Sequence, residues 1–176
     1  MRTGLTSLGL RVAVVTLSAA LVACQLGSNS RSPESAQDFE IKLFANENHL
    51  SGEIVKLSDY EGQQVVINFW YPSCPPCRLE IPDFEAAWQG FKQQKVQLIG
   101  VQVPGFDSFD DGQAFVNELN LTYTIGATSD TKLVMKYDLQ GFPTTVFLNA
   151  DHEVVRKWTG VLNSEKLSEL VSESAN

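Results

Sequence analysis

The sequence predicts an α/β domain, on three observations. Val65 to Trp70 and Val96 to Val103 are dense apolar runs, suited to strands covered on both faces. Residues 76–93, between them, carry Leu79, Phe84, Ala87, Trp88 and Phe91 at helical spacing, which makes a strand, helix, strand unit with an expected right-handed crossover. Farther on, Thr144–Leu148 and Glu153–Trp158 read as two strands joined by the turn Asn149-Ala150-Asp151-His152.

The 176 residues fit one ordinary domain, and 43% hydrophobic residues suffice for a core. Three cysteines in this length exclude a disulfide-scaffolded miniprotein. A formal charge of -8 argues against nucleic acid as a partner, because phosphate backbones reward basic patches.

Residues 1–23 read as a signal peptide. Arg2 and Arg11 supply a positive start, and Val12 to Ala23 then runs without a charge, too short to span a bilayer alone. The run ends in Leu21-Val22-Ala23-Cys24, which resembles the lipobox of bacterial lipoproteins; Cys24 would then be the lipid-bearing mature N-terminus and the membrane anchor. Plain cleavage after Ser18-Ala19-Ala20 would instead leave Cys24 a free thiol. Cleavage before Cys24 removes two of the 13 basic residues and none of the 21 acids, leaving 11 against 21 and a charge of -10. Residues 24–37 read as a lipid-anchored flexible linker, serine-rich with little to bury; a chain of this length spans roughly 20 Å.

The globular domain is expected over residues 38–176. Phe39–Leu43 and Glu53–Leu57 alternate apolar and polar at period two, as a half-exposed hairpin does. After the strand, helix, strand unit, a helix is expected near Asp110–Leu119 and a short one near Thr131–Tyr137. A last helix from Ser164 places Leu167, Leu170 and Val171 on one face. Pro82 falls inside the first long helix and should kink it.

The chemistry sits in Cys74-Pro75-Pro76-Cys77, between the first dense strand and that helix. A cysteine at a helix N-terminus sees unpaired N–H groups and the positive end of the peptide dipoles, so its thiolate is favoured. Cys74 is therefore the expected nucleophile. Cys77, one turn later on the same face, can attack a mixed disulfide at Cys74 and release the partner. Because a residue before proline avoids helical angles, regular helix is expected from Pro76. A CxxC pair is also half of a zinc site, but His49 and His152 are the only histidines and neither stands at ligand spacing. A purely structural disulfide closes too small a loop for much entropic stabilisation.

Phe69-Trp70-Tyr71-Pro72-Ser73-Cys74-Pro75-Pro76-Cys77-Arg78-Leu79-Glu80-Ile81-Pro82, followed downstream by Gly141-Phe142-Pro143-Thr144-Thr145, resembles the thioredoxin superfamily in its membrane-tethered TlpA-like and ResA-like branch. The resemblance runs from about Phe39 to Leu170. It implies a thioredoxin fold with an added N-terminal β-hairpin and a central insertion, about Pro104 to Tyr137. It implies an exported thiol-disulfide oxidoreductase, often reductive and often serving cytochrome c maturation, acting on protein disulfides or dithiols without a bound cofactor. A membrane electron donor would re-reduce such a reductase.

By the same resemblance Pro143 is a cis-proline, and the backbone of Phe142 pairs with substrate beside Cys74. Glu80 matches an acid that exchanges a proton with Cys77; alternatively it is a surface acid complementing the helix dipole. Asn68 stands where thioredoxin keeps a buried aspartate, so that relay is absent. Ser73 replaces a common tryptophan, which removes an aromatic wall and widens access to the sulfur. Trp70 and Tyr71 are candidates to line the substrate site, though strand-end aromatics also serve as core. Arg78 either adds positive potential near the thiols or is a solvated surface residue.

Other functions of related folds fit less well. A peroxiredoxin carries Pro-x-x-x-Thr-x-x-Cys, whereas Ile67 and Tyr71 occupy the proline and threonine positions here. A SCO-like copper-binding protein would show CxxxC and a distal histidine, and His152 falls in a hairpin turn. An oxidant or isomerase of the same fold is not separated from a reductant by sequence, since about 30 mV corresponds to only about 1.4 kcal/mol.

Overall fold

The computed structural model describes residues 34–175. Residues 1–33, including the expected signal peptide and Cys24, lie outside the described residues. The element order is β1 (Glu40–Leu43), β2 (Ile54–Lys56), β3 (Gln64–Trp70), α1 (Pro75–Phe91), β4 (Val96–Gln102), α2 (Phe109–Leu119), β5 (Thr124–Ala127), α3 (Leu133–Lys136), β6 (Thr144–Leu148), β7 (Val154–Thr159) and α4 (Ser164–Glu173). One sheet runs β2-β1-β5-β4-β3-β6-β7, with β3 parallel to β4 and antiparallel to β6. This is a mixed α/β thioredoxin-like fold: the hairpin is β1–β2, and the central insertion contributes α2 and β5.

The absence of alternation in β3 has a direct cause. Val66 and Trp70 join a core with α1, α2 and α4, while Val65, Ile67 and Phe69 join a second core with α3 and the hairpin. Both faces are covered, so both sets are apolar. Asn68 shares the α1-facing side with Val66 and Trp70, by the period of two. On α1, Cys77, Ile81, Phe84 and Ala87 form the buried stripe. Complete burial of a side chain such as Phe84 contributes roughly 1.5–3 kcal/mol. The helix continues through Pro82 as one element, leaving the Arg78 carbonyl without its usual i+4 donor.

β5 was absent from the sequence expectations. It is four residues long and contains Gly126, whose register partner is Leu43 of β1. A Cβ there would meet the Lys42 carbonyl oxygen and Leu43 Cα, so glycine is what lets the hairpin close on the sheet. The tether expectation also needs shortening at its C-terminal end. Ser35 bridges Glu153, the Ala36 N–H donates to the His152 carbonyl (2.8 Å), and the Tyr137 hydroxyl donates to the Gln37 carbonyl (2.6 Å). Those residues belong to the folded body. Among the described residues no helix is long and apolar enough to cross a membrane.

Candidate active site

β3 ends at Trp70, and Tyr71-Pro72-Ser73 lead into the first turn of α1. Cys74 is the N-cap, extended at φ -76°, ψ 108°, as a residue before proline should be. The helix starts at Pro75, one residue before the expected Pro76: prolines fill N-terminal positions where no N–H is required, and Pro75 itself accepts helical angles. The first free donor is the Cys77 N–H, and it reaches Cys74 Sγ at 3.2 Å. Cys74 and Cys77 are joined as a disulfide with their Cα atoms 5.3 Å apart, and they are only 1% and 0% exposed. When the bond is reduced, the same N–H and the helix N-terminus favour charge on Cys74 Sγ.

Glu80 lies one turn beyond Cys77 and is wholly buried, which removes the surface-acid alternative. Its Oε1 accepts from Asn68 Nδ2 at 2.7 Å, and its Oε2 accepts from the Leu162 N–H at 3.0 Å. Burial pushes its pKa up to about 7, against the opposing pull of those two donors, with Asp83 adding a small upward push. A buried carboxyl poised at this value suits proton exchange near neutral pH. Asn68, at the position expected for an aspartate in thioredoxin, thus holds Glu80 by a direct hydrogen bond. Its Nδ2 also reaches Thr145 Oγ1 at 3.3 Å, while its buried Oδ1 has no partner among the described residues.

The Phe142–Pro143 peptide bond is cis. It lies just before β6, whose Thr144 pairs with Phe69 near the end of β3. The Phe142 ring contacts Tyr71 edge-on at 5.4 Å between centroids, and both pack against the core that contains the two cysteines. Two residues missed in the sequence complete this corner. Phe106 stacks face to face on Tyr71, 4.1 Å apart and 7° from parallel, and meets Phe142 edge-on at 5.7 Å. Asp107 Oδ2 accepts from both the backbone N–H and the hydroxyl of Ser73, at 3.0 and 2.9 Å. Both come from the loop after β4, which has no periodic pattern to read.

Trp70 must be corrected: it is wholly buried against Phe44 and Phe115, so it is core and touches no substrate. Its even register with Val66 turns it toward α2, while Tyr71, past the strand end, turns to the site. Arg78 pairs with Glu118 at 2.7 Å and lies over the Phe115 ring, which makes it a surface tie between α1 and α2. His152 Nε2 lies 3.1 Å from the Tyr60 carbonyl oxygen in the β6–β7 turn, at the opposite end of β6 from Pro143. At about 3.3 Å per residue, five residues of β6 separate it from the cysteine end, too far for a shared copper site.

A model of the family described as AhpC/TSA matches residues 33–157. The thiol-disulfide oxidoreductase ResA of Halalkalibacterium halodurans is 29% identical over 144 residues, covering 82% of this chain and 77% of that protein. The crystal structure of StoA from Bacillus subtilis matches with a TM-score of 0.65 at 25% identity, over 78% of this chain and 98% of that one. A thiol:disulfide interchange protein DsbE structure from Chlorobium tepidum matches with a TM-score of 0.70 at 22% identity, over 81% and 96% of the two chains, a likeness of fold.

Proposed function

The chain belongs to the AhpC/TSA family and is a thiol-disulfide oxidoreductase of the ResA and StoA type; from that premise we propose that it reduces disulfides of cell-envelope proteins through Cys74 and Cys77. The observation that carries this reading is Cys74 as N-cap, its sulfur on the Cys77 N–H, with buried Glu80 one turn behind. In the reduced protein, the Cys74 thiolate attacks one sulfur of a client disulfide. The client S–S bond breaks, and its other sulfur leaves as a thiolate and takes a proton. Glu80 then accepts the Cys77 proton, and the Cys77 thiolate attacks Cys74 Sγ, expelling the second client thiolate. Two electrons have passed to the client, and the protein is left with the Cys74–Cys77 disulfide. A membrane dithiol donor restores the reduced pair. The backbone at Phe142, beside Pro143, aligns the client strand.

In this reading residues 1–23 direct export, Cys24 carries the lipid anchor and the tether that follows, ending before Ser35, holds the domain outside the cytoplasm. Cytochrome c maturation is one process that uses such reductants, and the acidic domain suits basic clients.

Cys77→Ser tests the reading. It keeps the attacking sulfur and removes the resolving one, so full-length protein in its native envelope is expected to accumulate mixed disulfides at Cys74, identifiable by mass spectrometry. Absence of any Cys74-linked protein would overturn the proposal.

A further inference from the structure

Phe106 is large, apolar and 55% exposed, yet the surrounding loop is built to hold it in place. Beneath the loop, Gln102, 2% exposed, donates from Nε2 to the carbonyls of Asp107 and Ser108 at 3.2 and 3.0 Å. Gly105, at φ +96°, makes the turn that raises the next residue. On the far side, Asp107 is latched to the N–H and hydroxyl of Ser73, the residue immediately before Cys74. One face of the Phe106 ring is taken by Tyr71 and its edge region by Phe142, which adjoins Pro143. Ser73 lacks the bulk to form an aromatic wall beside the nucleophile, but its hydroxyl fastens the loop that brings one in.

We propose that Phe106, positioned by the Asp107–Ser73 latch, is a specificity-determining residue that selects client disulfides with an aromatic or large apolar side chain beside the reacting cysteine. This rests on the thiol-exchange reading and narrows its substrate class. Tyr71 and Phe142, which hold the Phe106 ring, pack on the core that contains the two cysteines, and Phe142 adjoins Pro143, so a client strand crossing the Pro143 edge lays a neighbouring side chain against the remaining face of Phe106. Residues 104–113, this loop and the start of α2, carry Asp107, Asp110 and Asp111 and no basic residue, so an acidic side chain there is disfavoured.

The test uses reduced full-length protein and two short disulfide-bridged peptides that differ only in phenylalanine or serine beside the cysteine. Single-turnover oxidation gives a half-saturation concentration and a limiting rate for each. The wild type is expected to favour the phenylalanine peptide about tenfold, chiefly through half-saturation, the scale of one apolar contact. Phe106→Ala should bring that ratio close to one, and Asp107→Ala should lower it part-way; Phe106→Leu should retain an intermediate ratio and guards against a folding defect. Equal preference in the wild type, or a ratio untouched by Phe106→Ala, would overturn the inference. Failure of the wild type to react with either peptide would instead remove the exchange reading itself.

Discussion

Cys74→Ser is expected to reduce disulfide exchange by at least about 10³-fold, because a hydroxyl at ordinary acidity cannot replace a covalent thiolate nucleophile. The assignment is positional. Cys74 is the N-cap and Cys77 lies inside the first turn, so the dipole and the free N–H act on the first sulfur. Insulin reduction assayed with a chemical dithiol checks it, alongside mapping of alkylated cysteines in each variant. If Cys74→Ser retained turnover while Cys77→Ser abolished even the first attack, the two roles would be reversed.

Glu80→Gln has the next largest expected effect. Glutamine keeps the size of the side chain but cannot take the Cys77 proton, and general-base help of this kind contributes on the order of 100-fold. The wild-type resolving step should rise with pH through about 7, where Glu80 ionises, and that inflection should vanish in the variant. Stability carries the same signature with a defined sign. The folded-state pKa, about 7, lies above the usual 4.5, so the folded protein holds this proton more tightly than the unfolded chain. The resulting stabilisation is fully present below pH 4.5 and is lost as pH rises through 7. Wild type should therefore weaken relative to Glu80→Gln by about 3 kcal/mol across that window, from the 1.36 kcal/mol equivalent of each pKa unit. Urea unfolding at pH 4.5 and pH 8 measures it; parallel behaviour of the two proteins would contradict a buried, proton-holding Glu80.

The strands that carry the site were legible because double-sided burial leaves a mark: Val65–Trp70 and Val96–Val103 have no polar face to interrupt them. The start of α1 was legible from Cys-Pro-Pro-Cys, since the first helical turn is where proline costs no hydrogen bond. β5 was not, because four residues with a central glycine carry neither alternation nor bulk, and their strand character comes from pairing with β1 and β4. The corner made by Phe106 and Asp107 was hidden for a related reason. Its contacts, from the 104–108 loop to Tyr71 and Ser73, cross about 35 residues of chain and depend on where two strand ends meet. The sequence shows Asn68 only as a missing aspartate; that its side chain meets Glu80 depends on how α1 packs on β3. Trp70 and Tyr71 carry the same two readings in the sequence, and one residue of register at the strand end decides between core and site.

The acidity of Cys74 is the claim on which the rest depends, and alkylation of the reduced full-length protein by iodoacetamide, followed by peptide mapping across pH, measures it directly. The expected result is modification of Cys74 ahead of Cys77, with a midpoint at or below about pH 7.5, as for activated thiols. A midpoint at or above about 8.5, the value of a free thiol, or prior modification of Cys77, would contradict the account.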